Sequence, residues 1–470
     1  MSITSLIFLL VFLPVSLGIY YVANDRAKEY ILLGISIVFY ALGSIQYVVL
    51  FSLATFLIVL IGRAINTCQG NVKTILLITG IIINVGLLIY YKYTDFAITS
   101  WGNITSTEAE IKGLILPLGI SFFTFKAISY LVDIFKGIAI LDNRPIHDAL
   151  YLSFFSQIQS GPLTRYNDMQ INKDYVFDQN LFANGTYRFL IGFSKKILIA
   201  NVLSNITSEV FSAPFENFST SYAWLGSICY SLQLFFDFAG YSDMAIGISE
   251  MFGYKCMENF NYPYMTESVT KFWRRWHISL SEWFRDYIYI PLGGSRVGKQ
   301  LRIYFNLFVV WILTGIWHGA AWHFVTWGLG YFIVIAFERL TNFPGRFKFA
   351  PAKFIYRILS LLFVNFQWVI FNSSDLRFGL RFIKRMIIYT PNHVADIRTL
   401  FLLKDYSFFI GLAIILCFPL VPVLSKKIEN NKLLSNIFEI MIAIIVLFAF
   451  VWSLSFIVAG QNNPFAYANF

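Results

Sequence analysis

Hydrophobic positions in this chain gather into long runs, near residues 4–22, 30–45, 47–62, 74–91, 114–135, 187–203, 221–240, 303–317, 320–338, 355–371, 407–424 and 437–459. Most approach the roughly 20 residues an α-helix needs to cross a bilayer. None alternates apolar with polar as a membrane-barrel strand would. The pattern predicts an all-α polytopic integral membrane protein, with about a dozen transmembrane or re-entrant helices plus interfacial amphipathic ones. A further apolar stretch, Ala149 to Ile158, is too short to span and is expected to be re-entrant or interfacial. No internal repeat or low-complexity tract interrupts the chain, so one membrane domain, residues 1–470, is expected, with a short tail at 460–470.

Composition reinforces this picture. Hydrophobic residues make up 57% and charged residues only 13%, about half the charged share of a soluble domain. The 36 Lys and Arg exceed the 26 Asp and Glu, giving +10. In a soluble protein that excess would suggest nucleic acid; here it fits cytoplasmic loops, and no nucleic-acid partner is expected. Four scattered cysteines form no CxxC pair, which argues against a disulfide framework or zinc site. Thr4 to Val22 lacks the basic flank and cleavage site of a signal peptide and reads as a retained first helix.

Loop charges orient the chain. Arg26, Lys28, Arg63 and Lys73 put the first connections in the cytoplasm, and Lys426, Lys427 and Lys432 do so for the last. Both termini are then extracytoplasmic, in a cell membrane crossed many times. Arg377, Arg381, Lys384 and Arg385 fall outside in this scheme. Their spacing with Leu380, Phe382 and Ile383 predicts an amphipathic helix on a lipid surface.

The segment from Thr270 to Ile290, TKFWRRWHISLSEWFRDYIYI, places Phe272, Trp273, Trp276, Leu280, Trp283, Phe284 and Tyr287 on one helical face. It is expected to be one interfacial helix, aromatics toward lipid and bases toward cytoplasm. An anionic donor would be attracted to Lys271, Arg274 and Arg275, and to Arg296 in the turn that follows. His277 lies on the edge of the apolar face. The turn PLGGSR is not a phosphate-binding loop, since no GK[ST] follows.

His318 stands where one apolar run ends and another begins, with no loop to carry it into water. An ionisable group at membrane depth is a functional candidate by default. A neutral buried imidazole can act as general base on a hydroxyl. His318 and His323 are five apart and share no helical face, so no metal site is expected. No GxSxG elbow is present.

These residues resemble the membrane-bound O-acyltransferase superfamily, in particular its bacterial alginate O-acetylase branch. The resemblance rests on FWRRWHISLSEWFRDYIYIPLGGSR (272–296) and LTGIWHGAAWHFVTWG (313–328). Three more blocks support it, LPLGISFFTFKAISYLVDIF (116–135), FFSQIQSGPLTR (154–165) and QLFFDFAGYSDMAIG (233–247); in the first, Lys126 stands where relatives often carry Gln. The resemblance implies that His318 is the catalytic histidine and His277 a second functional one. It implies an acyl-CoA donor, acetyl-CoA in this branch, and no bound cofactor. It implies an extracytoplasmic SGNH-type acetyltransferase as partner and a polysaccharide as acceptor. The tail NPFAYANF resembles endings in which a tyrosine, here Tyr467, carries the acyl group onward.

Two rivals stay open. D-alanyl or another acyl transfer to a cell-wall polymer would use the same machinery. A transporter would use Asp133, Asp237 and Asp243, which lie within or beside apolar segments, as ion-coupling groups.

Overall fold

The computed structural model describes residues 1–107, 110–169, 177–215, 218–347, 349–388 and 394–460. Among these, regular structure is helical, with no strand. By contacts the chain divides into two compact units, Met1–Phe189 with Ser242–Glu258, and Leu190–Tyr241 with Asn259–Ala466.

The first unit holds α1 (Leu13–Val22), α2 (Asp25–Ser44), α3 (Val48–Thr67), α4 (Gly70–Thr105), α5 (Ile120–Phe135), α6 (Pro145–Ser153) and the short α7 (Tyr166–Met169), together with most of α8 (Gln179–Ser194). Its apolar core includes Phe8, Phe39, Phe155 and Phe252 packed ring on ring. Ala149–Ile158, too short to span, becomes the end of α6 and a following 3-10 turn, and is buried in this unit. Buried charge is paired: Arg63 meets Asp148 at 2.7 Å and His147 meets Glu29 at 2.6 Å. Arg188 binds Asp243 at 3.0 Å and Glu258 at 2.5 Å.

The second unit carries α9 (Val202–Ser212), most of α10 (Thr220–Met251), α11 (Val269–Trp273), α12 (Ile278–Phe284), α13 (Gln300–His318), α14 (Trp322–Thr341), α15 (Ala350–Asn372), α16 (Leu376–Ile387), α17 (Ile397–Leu416), α18 (Leu420–Ile428) and α19 (Lys432–Val458). Gly315 and Gly328 let α13 and α14 touch backbone to backbone, since a Cβ on Gly315 would sit 2.5 Å from Phe324 O and one on Gly328 2.4 Å from Trp311 O. Lys196 and Asp237 form a buried ion pair inside this unit.

Eight runs among the described residues are long and apolar enough to cross a membrane, counting α2 and α3 as one run, Asp25–Thr67. Of the dozen expected segments, 4–22 forms a shorter apolar helix and 114–135 the 16-residue α5. The chain is a multi-pass helical membrane protein.

Candidate active site

The 270–290 segment is not one helix. α11 stops at Trp273, and His277 takes a left-handed backbone, φ +45°, before α12 begins at Ile278. Such a conformation is rare for a residue with a Cβ and is kept only where its surroundings enforce it. Here a second loop does so: Ile278 N donates to Asn259 O at 2.9 Å and Asn261 N to Arg275 O at 3.0 Å. The 3.6-residue periodicity was genuine, but its aromatic face fills protein interior. Phe272, Trp273 and Trp276 are buried, with Trp273 wedged against Trp311, Trp327 and Tyr331.

His277 Nδ1 lies 3.0 Å from Asn259 Oδ1, which also accepts from Ser279 Oγ at 2.9 Å. An amide oxygen can only accept, so Nδ1 carries the proton and the Nε2 lone pair is left for chemistry. Burial pushes the His277 imidazole down to about 3, so it is neutral at physiological pH. Phe238 meets the ring edge-on at 4.6 Å.

His318 ends α13 and is buried, 2% exposed. Its walls are Trp317, Trp327 and Phe371, with ring centres 4.7, 4.9 and 5.2 Å away. Trp317 is also 6.2 Å from His277. The two histidines singled out in the sequence, from separate motif blocks, thus border one indole. His323 is buried beside Phe324.

At the other end of α14 lies a groove of about 730 Å³ lined by Lys271, Arg274, Arg285, Arg339 and Lys353, among others. Lys271 draws Glu267 to 2.5 Å and holds that carboxyl below its usual range. Of the four cations expected to meet a donor, the groove gathers Lys271 and Arg274; Arg275 and Arg296 are exposed and lie off its lining. Buried Glu338 accepts from Val269 N and Thr270 N, both at 2.8 Å, and from Tyr356 Oη at 2.9 Å, which ties the start of α11 to α14. From Trp322 to Glu338 this helix spans roughly 24 Å at the α-helical rise. The segment carrying FWRRWH therefore descends from the groove at Glu338, past Tyr331 and Trp327, to Trp317.

Asn259 and Glu338 were not singled out in the sequence. Nothing in their spacing marks them, because each acts on a partner distant along the chain. Tyr467 lies outside the described residues. Asp237 and Asp243, the carboxylates a transporter would need, are held by Lys196 and Arg188.

The family model for MBOAT, the membrane-bound O-acyltransferase family, matches residues 145–381, half of the chain and all of the site just described. The chain belongs to the membrane-bound O-acyltransferase family. It is 38% identical over 408 residues to "Probable alginate O-acetylase AlgI" of Pseudomonas aeruginosa, covering 85% of this chain and 77% of that one. It is 36% identical to "Peptidoglycan O-acetyltransferase" of Helicobacter pylori, over 81% and 79%. A "Teichoic acid D-alanyltransferase" of Bacillus subtilis is 31% identical over 56% of this chain and 70% of its own. As a member of this O-acyltransferase family the chain is an enzyme.

Proposed function

We propose that this enzyme takes an acetyl group from acetyl-CoA at the cationic groove and passes it to a polysaccharide outside the cell membrane, by way of an extracytoplasmic SGNH-type transferase. The observation that carries this reading is the placement of His277 and His318 around Trp317, at the far end of α14 from Lys271 and Arg274. The donor's phosphates would rest among the groove cations on the cytoplasmic side, and its thioester would reach the histidines.

His318 is the base. Its imidazole takes the proton of an acceptor hydroxyl as that oxygen bonds to the thioester carbonyl carbon. The C–S bond breaks and the thiolate leaves with the proton. His277, fixed by Asn259, orients the reacting groups. The hydroxyl belongs either to Tyr467, which then relays the acyl group as an ester, or to the next acceptor directly. Both termini would lie outside the cell.

His318→Ala should abolish polymer acetylation, a loss of about 10²–10⁴-fold, in membranes holding normal amounts of protein. Near-normal acetylation by that variant would remove the reading. Tyr467→Phe separates relay from direct transfer, since only the relay needs the phenol.

A further inference from the structure

The helix α16 departs from what its sequence suggests. Its apolar face was expected to rest on lipid, yet Gly379, Phe382 and Met386 are buried within the second unit. Phe382 stacks on Phe211 at 4.5 Å, Phe378 packs on Phe215 at 4.9 Å, and Trp224 Nε1 donates to Met386 O at 2.8 Å. The protein itself fixes this helix, so its cations are not a by-product of lying on a membrane.

The outward face carries Arg377, Arg381 and Lys384, all exposed, with Arg385 half-buried beside them. Arg377, Arg381 and Lys384 fall at i, i+4 and i+7, so they form one row with a cation at each turn, roughly 5.4 Å apart. No acidic residue occurs between Leu376 and Ile388. Asp375, which opens the helix, is committed to its cap, accepting from Phe378 N at 2.9 Å. Arg381 is steadied over the Phe215 ring at 4.4 Å. The row also sits at a particular end of the unit: α16 follows α15 by three residues, and Phe371, near the end of α15, forms one wall around His318. The cation-lined groove is at the opposite end.

We propose that this row holds an anionic glycan, a polymer with a carboxylate or phosphate on successive repeats, at the end of the unit where His318 lies. Charges repeating along one line match a polyanion whose own charges repeat, and a neutral glycan would gain nothing from them. The inference deepens the acyl-transfer reading by naming the acceptor's chemical class, and rests on it for calling that glycan the acceptor.

The full-length protein in nanodiscs of phosphatidylcholine, which carries no net charge, should bind a fluorescent oligouronate in preference to a neutral glucan of equal length. Binding should weaken as salt rises. The R377Q/R381Q/K384Q variant should lose about tenfold or more in affinity, and R377K/R381K should keep most of it. Equal binding by the glutamine variant, or no preference over the glucan, overturns the proposal. A glutamine variant that loses only co-purifying anionic lipid, with oligouronate binding unchanged, assigns the row to lipid and also overturns it. His318→Ala should bind the oligouronate like the wild type. Failure of binding therefore falls on the docking face, and normal acetylation by His318→Ala falls on the acyl-transfer reading.

Discussion

The side chain of Asn259 reaches His277 across 18 residues of sequence and fixes which imidazole nitrogen bears the proton, Nδ1 standing 3.0 Å from Oδ1. The same oxygen takes the Ser279 hydroxyl, so one amide holds both sides of the left-handed turn. Asn259→Ala should lower kcat roughly tenfold or more while the donor KM changes little. Two buried donors would lose their acceptor, at about 1–3 kcal/mol each. Asn259→Asp, which keeps the acceptor oxygens, should restore much of the activity. Steady-state kinetics on purified protein distinguishes this split from simple misfolding.

The groove predicts a division among cations that look equivalent in sequence. Lys271→Gln with Arg274→Gln should raise the donor KM about tenfold or more and leave kcat largely intact, with an effect that shrinks at high salt. Arg275→Gln and Arg296→Gln, off the groove lining, should change donor KM by less than about twofold. Michaelis constants at two ionic strengths test both halves.

His277 gives stability a pH dependence of definite sign. Its imidazole is pushed down to about 3 by burial, against about 6.5 when unfolded. Between those values the unfolded chain binds a proton that the folded chain refuses, so stability falls as pH drops below 6.5 and is fully present above it. The slope is at most roughly 1.4 kcal/mol per pH unit. His277→Asn, tolerated by a left-handed backbone, should flatten the decline in melting temperature between about pH 6.5 and 4. An unchanged slope would contradict the burial.

Gly315 supplies a test of sign. In a free helix Ala is favoured over Gly by about 1 kcal/mol. At Gly315 a Cβ would stand 2.5 Å from Phe324 O, so Gly315→Ala should destabilise, by about 1–3 kcal/mol, and impair activity by spreading α13 from α14. A raised melting temperature would show that the helices are not this close.

The helical class, the apolar runs and both histidines were legible because each leaves a local mark: length, hydropathy, or an ionisable group stranded among apolar neighbours. His318 at the seam of α13 and α14 was readable from its lack of a loop. The break at His277 was not, because the aromatic spacing on either side remains helical and the turn is enforced by Asn259 and Asn261 from another segment. The same limit hid the destination of the aromatics. Periodicity says that a face is apolar, but whether lipid or protein covers it depends on partners such as Trp311 and Trp327, far along the chain. Glu338 left no trace at all.

That carboxylate shapes what the groove can recognise. Val269 and Thr270 offer the kind of backbone N–H pair on which phosphate sites are often built, and Glu338 already occupies both. An incoming anion at that spot meets only long, pliable lysine and arginine side chains, which attract charge without reading its shape. Selectivity among thioesters then falls to the rigid indole and phenyl walls around His318, so the enzyme would be tolerant at the nucleotide end of its donor and strict about the size of the group it transfers.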